Sequence, residues 1–296
     1  MLDERVLITG GRGFLGRALI TALQAQGAGV VALDVAASPT DLQSGVIFEQ
    51  GDIRDPSVVS NVVGRHDISA IVHLAALVIP ACRENPVLGA EVDMIGHINV
   101  LEAARRHGVA NVVYTSSVAA HPREPLNSPV NLYGVYKRCC EDISKVYFLD
   151  HGIASIGLRP NVVYGPGRDV GETAAITQAM RAAAEGRQYE MPFSGQMCFQ
   201  HVDEVTDIFL RCLTTVPDRP VVTDLTTETA STDDVIAAIH AVVPDAQIAP
   251  SNNHRPAPPS LDNSALRDLL KQWDRVSLAE GTRRTIAHYK GIADAC

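Results

Sequence analysis

The chain has no CxxC pair and no cysteine–histidine spacing suited to zinc, so neither a structural metal nor a redox-active dithiol is expected. Its six cysteines, at 82, 139, 140, 198, 212 and 296, are read as reduced thiols, with Cys139 and Cys140 adjacent on one helix. No apolar run reaches the ~18 residues of a membrane span. The opening MLDERVLITG carries early acids and then a strand-like run, which is not the basic-then-apolar pattern of a secretory leader. Positive charge is scarce, with 25 Lys and Arg against 34 Asp and Glu, and the net −9 argues against nucleic acid or an anionic membrane as a partner. Low-complexity tracts and 20–50-residue repeats are also absent. These absences leave a soluble, cytoplasmic protein as the expectation.

What is present is globular: 296 residues, 46% hydrophobic and 20% charged, enough for one large domain with a smaller satellite. Through the first ~160 residues, strand-like apolar runs alternate with helical segments. RVLITG, GVVALD, VIFEQGDI, ISAIVHLA, NVVYTSS and ASIGLRP read as strands. FLGRALITALQAQG, SVVSNVVGRH, a long stretch from about 86 to 107, and the stretch 133–152 read as helices. Strands alternating with helices predict an α/β fold with a doubly wound parallel sheet, the Rossmann arrangement. Beyond Pro160 the pattern loosens into turns, a helix at AAITQAMRAAAEG, and a strand feeding a helix at FQHVDEVTDIFLRCL; RPAPPS and two helical segments follow. The expected division is a dinucleotide-binding domain over 1–164, to which about 196–212 returns. A smaller C-terminal substrate lobe would comprise 165–195 and 213–296.

LITGGRGFLGRAL places glycines between the first strand and the first helix. There they permit a tight turn and let backbone N–H groups approach a pyrophosphate at the helix N-terminus. Gly10, Gly13 and Gly16 fit the spacing, and the strand–turn–helix context that the motif needs surrounds them. Asp34 closes the second strand near the ~20-residue spacing at which a carboxylate meets the adenosine ribose. It would accept from the ribose hydroxyls and repel a 2′-phosphate, and DVAASP supplies no Arg or Lys to hold one. NAD is therefore expected over NADP.

YGVYK, residues 133–137, sits on a predicted helix. Tyr133 and Lys137 are i and i+4 and share a face, whereas Tyr136 points another way. A free tyrosine ionises near ~10 and is a poor base at neutral pH. A neighbouring ammonium and the positive nicotinamide both favour a phenolate, which can take a substrate hydroxyl proton while hydride leaves the same carbon. Ser117 ends NVVYTSS at the strand end that faces the ligand crevice and can hydrogen-bond a substrate oxygen.

With these residues in order, the chain resembles the extended short-chain dehydrogenase/reductases, the NAD-dependent epimerase/dehydratase family. TGGRGFLG, GDIRD, HLAA, NVLEAARRHGV, YTSS, YGVYK, LRPNVVYGPG, FQHVDEV and LDNSALRDLL carry the resemblance over nearly the whole length. It implies Ser117, Tyr133 and Lys137 as the catalytic triad, with Tyr133 and Lys137 also touching the cofactor. It further implies Phe14 and Leu15 beside the glycine loop, Asp52 and Ile53 flanking the adenine, Leu74 and Ala75 along the pyrophosphate and ribose, and backbone near Asn161 and Val162 facing the nicotinamide amide. No metal is implied. The substrate would be a small molecule, and members often form homodimers through the two long helices.

Departures from the family pattern bear on the substrate. Val118 and Ala119 follow Ser117 where dehydratases carry an Asp-Glu pair, so water elimination is not expected. A simple dehydrogenase/reductase and a 4-epimerase both remain, since each needs only the triad and NAD. Sugar-nucleotide enzymes usually place Arg-Asp-Phe before FQHVDEV, the arginine binding the diphosphate; Met197 and Cys198 occupy those positions here. That favours an alcohol or ketone of a small polyhydroxylated molecule, a sugar or sugar acid, with a nucleotide-sugar 4-epimerase as the alternative. Arg168, Arg187 and Arg255 are the arginines that could substitute. A non-catalytic NAD-binding regulator is disfavoured by the intact triad. Tyr136 stands where serine is usual, either altering the pocket wall or packing at the dimer helix.

Overall fold

The computed structural model describes residues 5–37 and 43–293. The opening MLDE, Ser38 and Pro39 after Asp34, and Cys296 therefore lie outside the described residues. Seven parallel strands form the main sheet: β1 (Arg5–Thr9), β2 (Gly29–Asp34), β3 (Val46–Gln50), β4 (Ile68–His73), β5 (Asn111–Thr115), β6 (Ser155–Arg159) and, numbered later in the chain, β11 (Val221–Asp224). Their order is β11-β6-β5-β4-β1-β2-β3. The order reverses between β1 and β4, and in such sheets that reversal opens the ligand crevice at the strand C-termini. β1, β2 and β4 are almost continuously apolar and buried, as a strand covered on both faces must be.

Helices α1 (Phe14–Ala25), α2 (Pro56–Arg65), α3 (Ile79–Glu84), α4 (Pro86–Ala90), α5 (Gly96–His107) and α6 (Leu132–His151) connect these strands. Short side chains start several of them: Asp55 caps α2, Asn85 caps α4, and Asn131 Oδ1 accepts the Gly134 amide of α6 at 2.9 Å. Gly108 and Gly152 end α5 and α6 at φ +70 and +71, a left-handed cap that glycine adopts without strain. The helix expected over 86–107 is not uniform, because a π-helical segment, Glu91–Ile95, separates α4 from α5. Leu7, Val31, Ile53, Val59, Ile71, Leu101 and Val112 are among the side chains that pack one face of the sheet.

The chain divides into two compact units. The first comprises 1–159, Ile208–Asp224 and Asn263–Gln272; the second comprises Pro160–Asp207, Leu225–Asp262 and 273–296. The return to the first unit thus begins later than the expected 196–212, inside a helix, and residues 263–272 return as well.

The second unit holds short strands β7 (Val162–Tyr164), β8 (Tyr189–Glu190), β9 (Gln196–Met197), β10 (Phe199–His201), β12 (Ala230–Ser231) and β13 (Ile248–Ala249). Helices α7 (Ala175–Ala184), α9 (Thr232–Val242) and α11 (Leu278–Ala293) pack around Tyr164, Ile176, Met180, Phe193 and Ile239. α8 (Val202–Leu213) crosses the boundary, and α10 (Ser264–Leu270) belongs to the first unit. A capping box of Ser231 and Asp234 starts α9. The second unit also contains a cavity of about 340 Å³ between Phe199, Glu204, Thr226, Arg275 and Leu278. Among the described residues no helix is long and apolar enough to cross a membrane, and no cluster of potential metal ligands occurs. The five described cysteines are free thiols.

Candidate active site

The glycine loop follows β1 directly at the reversal point. Gly10 adopts φ +71, and a Cβ there would lie 2.8 Å from the Ala75 amide nitrogen, so only glycine lets the β4 loop come this close. A Cβ on Gly16 would collide with the Gly10 carbonyl oxygen, which explains why α1 can start against the turn. Gly13 is the N-cap of α1, and no side chain caps the helix or adds an acid to its first turn. A Cβ on Gly13 would meet only the Gly10 carbonyl, at 3.1 Å, and otherwise open space. An uncapped helix N-terminus beside side-chain-free backbone fits a pyrophosphate, and Phe14 and Leu15 form its first turn.

Asp34 ends β2 one strand away. Its Oδ2 accepts the Arg12 amide at 2.9 Å and its Oδ1 the Ala36 amide at 3.0 Å, fixing the carboxylate at the rim of the loop. The Arg12 guanidinium lies in the same place, donating to Ala37 O at 2.7 Å. Sequence reasoning looked for a cation only after Asp34 and passed over this one inside the glycine motif. Leu74 and Ala75 follow β4, their amides held by Thr9 O and Thr9 Oγ1 at 3.1 and 3.3 Å. Asp52 pairs with Arg54, which holds its carboxyl below the ordinary range, and Ile53 is buried in the core. Any adenine contact at Ile53 would therefore use backbone. Asn161 and Val162 lie in the second unit, where Asn161 Oδ1 accepts the Cys198 amide at 3.0 Å and Val162 is buried.

Tyr133 and Lys137 occupy the first turns of α6 on one face, with Lys137 Nζ 5.6 Å from the Tyr133 ring centroid. Lys137 is 4% exposed and donates to Thr115 O, at the end of β5, at 3.0 Å. Ser117 follows two residues later and caps a short 3-10 turn, Val118–Ala120, its Oγ accepting the Ala119 amide at 3.1 Å. That turn packs directly against α6: a Cβ on Gly134 would collide with the Ala119 carbonyl oxygen. The small residue after Tyr133 is what allows the serine loop to reach the tyrosine's turn. Ser117, Tyr133 and Lys137 thus gather at one end of β5, all within the first unit.

Tyr136 turns away from this cluster. It is 7% exposed, lies against Gly89 of α4, and its hydroxyl donates to Pro86 O at 2.9 Å. The ring is a packing element between helices and not a pocket wall. Tyr136→Phe is expected to keep most activity and to cost about 1 kcal/mol of stability, the value of one such hydrogen bond, readable by denaturant titration.

The sequence profile of the NAD dependent epimerase/dehydratase family matches residues 6–223. The chain belongs to that family. Membership makes it an NAD-dependent enzyme, in keeping with the glycine cradle and the strand-end Asp34 described above. A UDP-glucose 4-epimerase of Mycolicibacterium smegmatis is 28% identical over 97% of this chain and 98% of its own. The structure of a Thermus thermophilus UDP-glucose 4-epimerase in complex with NAD superimposes with a TM-score of 0.78 at 27% identity, covering 97% of this chain and 99% of that one. An L-threonine dehydrogenase from Clostridium difficile has the same fold, with a TM-score of 0.85 at 20% identity over 98% of each chain.

The positions where the family resemblance would put a dehydratase acid or a diphosphate arginine are apolar here. Val118 is 2% exposed, Met197 6% and Cys198 0%, so none offers a charge. Of the three arginines that could substitute, Arg187 pairs with Glu185 and Arg255 stacks on the Phe193 ring at 4.4 Å. Arg168 hydrogen-bonds Thr173 Oγ1 at 3.4 Å.

Proposed function

We propose that this protein is an NAD-dependent dehydrogenase or reductase acting on a secondary alcohol or ketone of a small polyhydroxylated molecule, a sugar or sugar acid. The observation that carries the reading is the Ser117–Tyr133–Lys137 cluster, with buried Val118, Met197 and Cys198 where extra acids or a phosphate arginine would stand. The glycine loop, Asp34 and the Leu74–Ala75 segment hold the dinucleotide, which when bound exchanges a hydride with the substrate carbon. Tyr133 Oη takes the substrate hydroxyl proton in oxidation and returns it in reduction. The Lys137 ammonium stabilises the charged oxygen, and Ser117 Oγ hydrogen-bonds the reacting oxygen and orients it. The second unit supplies the substrate lobe.

A nucleotide-sugar 4-epimerase is the second reading, favoured by the Mycolicibacterium relative that matches along almost the whole chain. The experiment that separates them is an assay of NADH formation with free sugars, aldonates and polyols, beside one with UDP-sugars. Net NADH with an unmodified sugar or sugar acid supports the proposal. Silence there, together with interconversion of UDP-sugars on co-purified NAD, gives the second reading.

Cofactor choice has its own test. Asp34→Ser removes the charge that repels a 2′-phosphate and leaves the Arg12 guanidinium beside the site. The NAD-over-NADP preference in kcat/KM is expected to fall by about tenfold or more, since one charged contact is worth roughly 1.5–3 kcal/mol. An unchanged ratio would remove Asp34 from the ribose site.

The protein is further read as a cytoplasmic homodimer. Free thiols suit a reducing compartment. Val87, Ile95, Val135 and Leu149, exposed by 39% or more on 86–107 and α6, supply an apolar face for a second copy.

A further inference from the structure

Lys137 is an ammonium 4% exposed to solvent, and burying a charge is costly unless another charge answers it. It donates a hydrogen bond to a neutral carbonyl, Thr115 O. Asp93 is a carboxylate 1% exposed, and nothing in the proposed mechanism uses it. It sits in the π-helical segment 91–95, which packs against α6. π-helical segments are rare and concentrate at functional sites. Cys140, three residues beyond Lys137 on the same helix face, donates its thiol to Asp93 O at 3.0 Å, so that face of α6 meets Asp93. Asp93 Oδ1 accepts the Leu77 amide at 2.7 Å, which fixes the carboxylate.

Resting on the Tyr133–Lys137 reading above, we propose that Asp93 is a positioning residue, the buried counter-charge that keeps Lys137 protonated for the tyrosine. Of the buried carboxylates on the elements packed there, Glu141 of α6 is taken by the Arg159 guanidinium, which leaves Asp93 in this part. α3 contributes Cys82 and α6 contributes Cys140, and burial pushes these thiols up to about 11 and about 12, so both are neutral at physiological pH. His97 of α5 and His73 of β4 are buried and pushed down, His97 to about 3, so neither carries charge. Tyr136 is raised, chiefly by burial, and stays neutral. Burial pushes the Asp93 carboxyl up, while Lys137, the Leu77 amide and the Cys82 thiol pull it back. Burial also works against the Lys137 ammonium, yet that group is held above its ordinary value by Tyr133 and then Asp93. Tyr133 is the group whose ionisation the lysine must support, which leaves the Asp93 carboxyl, drawn back toward its charged form by Lys137, as the counter-charge.

The chain has four lysines, Lys137, Lys145, Lys271 and Lys290, so a protein labelled with ¹³C at the lysine ε-carbon gives a spectrum simple enough to titrate. Lys137→Met assigns its signal. In Asp93→Asn the midpoint of Lys137 is expected to fall by about one pH unit or more, the loss of one nearby opposite charge, while the other three stay in place. The alkaline limb of kcat/KM should move the same way. Asp93→Ser, which also keeps an acceptor for the Leu77 amide, is titrated in parallel, so that poor folding of one variant leaves the other to decide. An unmoved Lys137 midpoint in a folded neutral variant overturns the proposal. Failure of the Tyr–Lys reading is separate: it shows as turnover surviving in Tyr133→Phe, whatever Lys137 does.

Discussion

Tyr133→Phe is expected to lower turnover by about a thousandfold, within the 10²–10⁴ that a positioned proton-transfer group contributes. The ring and its packing on α6 are preserved, and only the oxygen that would move the proton is lost. NAD affinity, measured by fluorescence or calorimetric titration, should stay within about threefold, because the glycine turn, Asp34 and Lys137 remain. Lys137→Met should cost as much in turnover, since the ammonium lies 5.6 Å from the Tyr133 ring centroid and its loss removes the charge that favours a phenolate. The double variant should be scarcely worse than either single one, the non-additivity expected of residues acting as a unit. Turnover within tenfold of wild type in Tyr133→Phe would place the acid–base group elsewhere. Tyr136→Phe is the control that separates this outcome from a general effect of changing tyrosines on α6, because its hydroxyl serves Pro86 O.

The pair was legible in the sequence because it depends on helical periodicity alone: i and i+4 on one helix share a face in any fold. The glycine turn and Asp34 were legible for a related reason, as strand, turn and helix are local and the register of β1 on β2 follows from two apolar runs. Asp93 was not. It lies in a stretch that reads as continuous helix, and what surrounds it comes from distant segments, with Gly96 against Ile53 and the Cys140 thiol on the Asp93 carbonyl. Arg12 escaped because it is distant in sequence from Asp34, and only the β1–β2 pairing brings their loops together. β11 is four residues long and becomes a strand by pairing with β6, a contact that no local pattern announces. α9 is the opposite case, because its capping box at Ser231–Asp234 is a start signal readable in the local sequence. What was missed consists mostly of tertiary contacts between segments far apart in the chain.

The largest stability effect is expected at such a contact. Glu141 is 0% exposed and takes a bidentate pair from Arg159, Nε to Oε1 at 2.6 Å and Nη2 to Oε2 at 2.5 Å, with Ser116 Oγ donating to Oε1 at 2.5 Å. Burial disfavours the Arg159 cation, but Glu141 and then Asp224 hold it above its ordinary value. His121 adds a contact to Asp224 at 2.7 Å, joining the β5, β6 and β11 ends and α6 in one network inside the first unit. Glu141→Ala takes the bidentate partner from the guanidinium, leaving it the longer contact to Asp224, and takes the acceptor from the buried Ser116 hydroxyl. Removing one partner of a buried pair costs about 3–5 kcal/mol, a large part of the ~5–15 kcal/mol that holds a domain together. The denaturation midpoint should fall accordingly with little change in slope. Arg159→Ala should cost a similar amount, and the double variant less than the sum, because the charge stranded by each single change is then gone. Ser116 precedes Ser117, so the same variants should lower turnover in whatever fraction stays folded, by loosening the loop that sets the serine against Gly134. A loss below about 1 kcal/mol in Glu141→Ala would mean that water reaches the pair, and that its strength is that of an exposed one.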